Sequence, residues 1–373
     1  MDGVKIKEKR LIIHIGSPRA ASTAIQKSLQ SNGEFLHDNG VYYGDYMYIS
    51  YCDAHTHHNL LWAIADETYT LLGIPPLYKI PESAETIADR MIDGAEKSSC
   101  ETILLSCELF FYTIFDTHLK LKGISVADDQ IAKAFRYSVN RFQSLFDGFE
   151  VKVICYLRRQ DLFVESWFNQ FAKESSPDFF KTINGGNDHL LYHPEYKFKG
   201  GSRVPGFTRM FKALFNYTNY YAILNEWATS YGKENIIVRP LEKKQLDGSV
   251  SKDFFKNALC IELMGSKEDI VVNTRVNRDS LEYLLRLQMR GFHSRISDIP
   301  DMAPLRRTDN LYMSLDERNA LMSYHKRGNE EIAREFLHRK DGILFLDEVK
   351  QEEDTYTGLV ENKIFYITRE LLK

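Results

Sequence analysis

Residues Leu11–Gln30 read LIIHIGSPRAASTAIQKSLQ, an apolar run that passes through a loop of small residues into an amphipathic helix. Leu11, Ile12, Ile13 and Ile15 have the near-continuous apolar character of a central parallel strand. Gly16 to Thr23 then form a turn of small and hydroxylated residues, whose amide N–H groups can converge on an oxyanion. The following helix places Ile25, Leu29 and Ala21 on one face, and its N-terminus adds partial positive charge. Ser17, Pro18, Arg19, Ala20, Ala21, Ser22 and Thr23 are therefore candidate anion-binding residues, with Arg19 as the cation inside the loop. The pattern departs from the nucleotide loop G-x-x-x-x-G-K-[ST], because the cation comes early and alanine stands in place of the second glycine. Two readings follow, a degenerate triphosphate site or a site for a different anion. A bland third is a strand–turn–helix crossover without a ligand.

The chain around this stretch has 373 residues, enough for one large core or two modest ones. Hydrophobic residues make up 43% and charged residues 27%, an ordinary balance for a soluble globular protein. The net charge of −4 gives no general affinity for polyanions, so any basic site is local. With no basic-aromatic stripe either, the composition speaks against nucleic acid as a partner. Five scattered cysteines (Cys52, Cys100, Cys107, Cys155 and Cys260) carry no zinc spacing and read as reduced, buried thiols. No apolar run is long enough to cross a membrane, and the polar N-terminus lacks a signal-peptide core. A cytoplasmic protein is expected.

Further β-rich runs lie at 102–106 (TILLS), 151–157 (VKVICYL) and 235–239 (NIIVR). Before the last of these, Tyr220, Leu224, Trp227 and Tyr231 recur at helical spacing, and Gly232 follows as the stop. Helix, glycine stop and strand form the rhythm of an α/β protein with a parallel sheet. Residues 175–207 have little periodicity and read as a long loop, with Lys197 to Arg203 as a basic stretch inside it. Past residue 241 the chain turns mainly helical, with helices expected over 280–288, 315–325 and 329–338. The aromatic clusters Val41–Tyr43 and Phe110–Tyr112 fit core packing first and a ligand cleft second.

The strand 151–157 runs directly into Arg158-Arg159-Gln160-Asp161, and Ser166 lies one to two helical turns later. Paired arginines at a strand end put cation density at the same sheet edge as the first loop. Arg158 and Ser166 can clasp one phosphate from two sides, although strand-end arginines are also common on plain surfaces.

Taken together, SPRAAST and VICYLRRQDLFVES resemble the sulfotransferase family that uses 3′-phosphoadenosine-5′-phosphosulfate (PAPS). The likeness is closest to its bacterial carbohydrate-type members. Their HIG-x-x-K-T-G-T-T-x-x-Q pattern is echoed by His14-Ile15-Gly16 and Gln26, and their R-x-Q-x-x-x-x-x-S pattern by Arg158, Gln160 and Ser166. Stretches at 220–242 and 328–345 are also similar. The resemblance implies one domain over 1–373 on a P-loop-type parallel sheet. The core would cover about 8–245 and a mainly helical part about 246–373, with helical insertions. It implies PAPS as co-substrate, with the first loop at the 5′-phosphosulfate and Arg158 with Ser166 at the 3′-phosphate. The acceptor would be a carbohydrate hydroxyl on a glycan, glycolipid or polysaccharide precursor. Ala20 and Ala21 depart from the family's small polar and glycine residues.

Glu108 follows the apolar strand 102–106, the position at which related carbohydrate sulfotransferases carry their general base. A partly desolvated carboxylate suits removal of a proton from an attacking hydroxyl. A cap on the next turn is the plainer role for the same residue. Arg19 would stabilise the leaving phosphate, and Ser106 would steer the acceptor or Glu108 itself. His57 and His58 stand before an apolar helix, as in the family's HH-containing segment, and are weaker acceptor-side candidates. Within His55-Thr56-His57-His58 no cysteine or acidic residue has ligand spacing, so no metal site is expected and the transfer requires none. Two rival functions share the early features: a P-loop kinase acting on a small molecule, and a non-catalytic nucleotide-binding protein.

Overall fold

The computed structural model describes residues 9–49, 54–111, 126–174, 215–263, 313 and 315–349. In chain order, β1 (Arg10–His14) leads to α1 (Ser22–Ser31), α2 (Gly33–Asp38) and β2 (Val41–Tyr42). An antiparallel pair, β3 (Met47–Ile49) and β4 (Ala54–Thr56), precedes α3 (His58–Leu71) and α4 (Ala84–Lys97). Next come β5 (Thr102–Ser106), α5 (Asp128–Leu145), β6 (Glu150–Leu157) and α6 (Gln160–Glu174). The described chain continues with α7 (Tyr220–Tyr231), β7 (Ile236–Pro240), α8 (Val250–Leu259) and α9 (Leu315–Glu335).

The protein is α/β, with a five-stranded parallel sheet in the order β2-β5-β1-β6-β7 flanked by helices. The four apolar runs read as strands all lie in it, and Val41–Tyr42 adds a two-residue edge. Alternation along each strand divides its side chains between two cores. Ile12, Leu104, Ile154 and Tyr156 meet Ile25 and Leu29 of α1 and Phe254 and Phe255 of α8. Leu11, Ile13, Ile103, Leu105, Val153, Cys155 and Leu157 meet α3, α4, α5 and α7 on the opposite face. Burial on both faces is why these strands lack a polar alternation.

Side-chain caps start three of the helices. Ser83 accepts from Thr86 N at 3.2 Å, Asn219 from Ala222 N at 3.4 Å and Ser249 from Lys252 N at 3.3 Å. Gly232 ends α7, as its place after Tyr231 predicts.

Three expectations are corrected. Residues 315–335 form one helix, α9, where two helices were expected over 315–325 and 329–338. Gly328 lies inside it, at ordinary van der Waals distance from Tyr221 of α7. Ala21 packs against the same core as Ile25 and Leu29 but precedes α1 rather than lying within it, in left-handed conformation at φ +66°. Cys260 is exposed, whereas Cys100, Cys107 and Cys155 are buried free thiols as expected. The loop over 175–207, the helix over 280–288, Tyr112 and Cys52 lie outside the described residues. No described helix is long and apolar enough to cross a membrane.

Candidate functional site

After β1 the chain crosses toward β2 on one side of the sheet, and after β6 it continues to β7 on the other. The β1–β6 boundary is therefore the topological switch point, where the first turns of the two crossovers diverge and open a crevice beyond the strand ends. The 15–21 loop and Arg158 both sit there. Ile15 N donates to Ile154 O at 3.0 Å and prolongs the β1–β6 pairing to the mouth of the loop.

Backbone conformation shapes the loop. Gly16, Arg19 and Ala21 all take positive φ, at +63°, +66° and +66°. Gly16 has no substitute, because a Cβ there would stand 2.8 Å from Glu108 Cα. The start of the loop is thus packed onto the backbone that carries the candidate base. Cys155, whose thiol is pushed up by burial, donates to Gly16 O at 2.9 Å from below. Ala20 N donates to Ser17 O at 3.0 Å and closes a turn over the buried Ser17 and Pro18.

These contacts explain Ala20 and place Ala21 at a strained position. Ala20 is fully buried in the core shared with α1 and α8, where a small apolar side chain fits. Ala21 holds the left-handed position that glycine adopts freely, at a strain cost of roughly 1–2 kcal/mol for an L-residue. It is the N-terminal boundary of α1, and no side chain caps that end. Ser22 and Thr23 open the helix, the first buried and the second half-buried.

The structure brings the two stretches read as candidate phosphate-binding sites together. Arg19 Nε donates to Ser166 Oγ at 3.3 Å, across 147 residues of sequence. Arg158 is half-buried at the strand end, and Tyr220 OH donates to its carbonyl at 2.7 Å. Arg159 departs from the expected pair of anion-binding cations. It is buried and forked onto Asp161, with Nε to Oδ1 at 2.7 Å and Nη2 to Oδ2 at 3.0 Å. Its Nη1 donates to the carbonyls of Asp347 and Glu348, both at 2.7 Å. Arg159 therefore fastens the segment after α9 to the sheet. Gln160 is similarly structural, exchanging amide hydrogen bonds with Asn329 at 2.7 and 3.2 Å.

On the other side of β1, Glu108 begins a short 3₁₀ turn just beyond β5, with 9% of its surface exposed. Its Oε2 accepts from Gln26 Nε2 at 3.0 Å. The same Gln26 nitrogen lies 3.3 Å from Ser106 Oγ, which is 2.8 Å from His14 Nδ1. Gln26, Ser106 and His14 are fully buried, and burial lowers the His14 pKa to about 3, so this ring is neutral. Ser106 thus braces the glutamine that holds Glu108. Gln26 is the positioning residue that motif reading left without a role, and a polar side chain on the buried face of α1 beside Ile25 and Leu29 was its signal.

The two histidines separate. His57 accepts from Ser106 N at Nδ1 (3.0 Å) and donates from Nε2 to Gly44 O at 3.0 Å. Both nitrogens are spent on backbone, and burial pulls its pKa to about 4, so His57 braces the strand ends. His58 opens α3, with Nδ1 against the Thr56 hydroxyl. Burial lowers its pKa, and the nearby Glu108 charge opposes that shift. His58, Cys107 and Glu108 are all buried, with their ligand atoms within 4.8 Å of one another.

No family model matches the chain. An uncharacterized protein of Archaeoglobus fulgidus is 27% identical over 231 residues, covering 57% of this chain. The match takes in 54% of that protein, so the chain spans about half the length of this relative.

Proposed function

We propose that this protein is a PAPS-dependent sulfotransferase built on a P-loop-type sheet, acting on a carbohydrate hydroxyl. The observation that carries the reading is the Arg19–Ser166 contact at the β1–β6 switch point. It joins a small-residue loop at a helix N-terminus to the strand-end clasp, and Gly16 ties that loop to Glu108. Three chemical tasks thereby fall to one crevice.

Arg158 and Ser166 would grip the 3′-phosphate, one as a charge and the other as a hydroxyl. Arg19, the loop amides, Ser22 and Thr23 would surround the 5′-phosphosulfate. As the acceptor oxygen bonds to sulfur, Glu108 takes the hydroxyl proton through the oxygen that Gln26 does not occupy. The bond between sulfur and the 5′-phosphate oxygen breaks, and Arg19 with the amides takes up the charge on the departing phosphate. The products are a sulfate ester and adenosine-3′,5′-bisphosphate.

The test is transfer of labelled sulfuryl from PAPS to a panel of glycan acceptors, with adenosine-3′,5′-bisphosphate binding followed in parallel. A Glu108→Gln variant that binds the bisphosphate normally and has lost transfer supports the reading. Normal transfer by that variant removes Glu108 from the base role. Phosphoryl transfer from ATP with Mg²⁺, and none from PAPS, favours the kinase alternative.

A further inference from the structure

The neighbourhood of Glu108 holds a second chemistry that the transfer reaction does not use. His58 lies at the start of α3, while Cys107 and Glu108 lie just beyond β5, so three different ligand types meet where two elements end. Each is buried, at 0%, 0% and 9% exposure respectively. Imidazole, thiolate and carboxylate are the donors that zinc takes, whereas magnesium and calcium prefer all-oxygen sets.

Ion contacts of about 2.0–2.3 Å draw tetrahedral ligands to within roughly 4 Å of one another, so atoms already within 4.8 Å need only small side-chain adjustments. The supporting hydrogen bonds are also in place. Thr56 engages His58 Nδ1 and fixes the ring. Gln26 engages Glu108 Oε2, which leaves the other carboxylate oxygen for the ion. Three protein ligands leave a fourth position open.

We propose that His58, Cys107 and Glu108 form a site for a zinc-like divalent ion. Occupancy ties up the carboxylate oxygen that would take the acceptor proton, so the ion inhibits rather than assists transfer. The inhibitory part rests on the proposed sulfotransferase reading; the binding part does not.

The experiment is titration of the chelator-treated full chain with Co²⁺ and Zn²⁺, read by absorption and thermal shift, with sulfuryl transfer measured alongside. One equivalent of Co²⁺ is expected to produce a thiolate-to-cobalt charge-transfer band that Zn²⁺ removes. Cys107→Ser and Cys107→Ala lose the band and weaken binding more than tenfold, while Cys260→Ser keeps both. Transfer by the unaltered chain falls as the band develops, whereas Cys107→Ser, with basal transfer intact, resists the metal. Absence of stoichiometric binding, or a band that survives in both Cys107 variants when circular dichroism reports them folded, overturns the site. Binding through Cys107 without inhibition of a measurable transfer overturns the role of Glu108 as a ligand. If no sulfuryl transfer occurs at all, the functional reading fails, and the band and thermal shift still decide the site.

Discussion

The two sides of β1 are built in opposite ways. Toward β6, the crevice edge is half-buried and cationic: Arg19 reaches Ser166, and Arg158 stands at the strand end. Toward β5, His14, Ser106, Gln26 and His57 form a buried network of neutral groups that converges on a single carboxylate. The first side presents its cations at the edge of the crevice, where a ligand's charge would meet them. The second side sets the position of one group through several hydrogen bonds that solvent does not reach, where each bond is worth more and each missing partner costs more. Gly16 is the hinge of this contrast, since it belongs to the loop of the first side and packs against the backbone of the second.

Substitution of the carboxylate is expected to give the largest effect. Glu108→Gln should lower sulfuryl transfer by about 10²–10⁴ while leaving bisphosphate affinity within a few-fold, since general-base removal acts on the chemical step alone. An equal loss of both quantities would merge the two sides into one function.

Arg159→Ala comes next and separates the two strand-end arginines. It removes one partner of a buried ion pair and should cost about 3–5 kcal/mol of stability by denaturant unfolding. Arg158→Ala should instead weaken bisphosphate binding roughly tenfold or more, with a smaller loss of stability than Arg159→Ala.

Acid should act on the buried side. His14 and His57 are held neutral, with pKa values lowered by burial to about 3 and about 4. Their unfolded counterparts take a proton below pH 6.5, so their contribution to stability is complete above that pH and is lost as pH falls from 6.5 toward 4. Each group contributes about 1.4 kcal/mol per pH unit in that window. Urea unfolding at pH 7 and pH 5 should show the loss, and His14→Asn should remove the part that His14 contributes.

The smallest effect belongs to the loop. Ala21→Gly relieves a left-handed alanine and adds chain entropy to the unfolded state, for a net gain of about 0.5–1 kcal/mol. A calorimetric melting point that falls on this substitution would show that the alanine is not strained.

The sheet was legible because its strands are buried on both faces and read as unbroken apolar runs. The edge strand Val41–Tyr42 was not, since two residues carry no periodicity. Helix α4 escaped notice because alanines at 84, 88 and 95 fill much of its buried stripe and give little hydropathic contrast beside Ile87 and Met91. Motif spacing singles out Arg19 and Ser166, whose contact spans 147 residues of sequence. Arg159 reads locally as part of the cation density at the strand end, whereas the carbonyls it binds lie 188 and 189 residues away. The His58–Cys107–Glu108 group was invisible for the same reason, because strand ends and helix starts bring together residues that no local spacing connects.

The most direct test of the central claim, that the β1–β6 crevice grips a phosphosulfate nucleotide, is a thermal-shift comparison of adenosine-3′,5′-bisphosphate with ADP–Mg²⁺. At a hundredfold excess over Kd the bisphosphate should add about 2.7 kcal/mol of stability. ADP–Mg²⁺ should add little, and Ser166→Ala should shrink the bisphosphate shift. Stabilisation by ADP–Mg²⁺ with none from the bisphosphate would contradict the account.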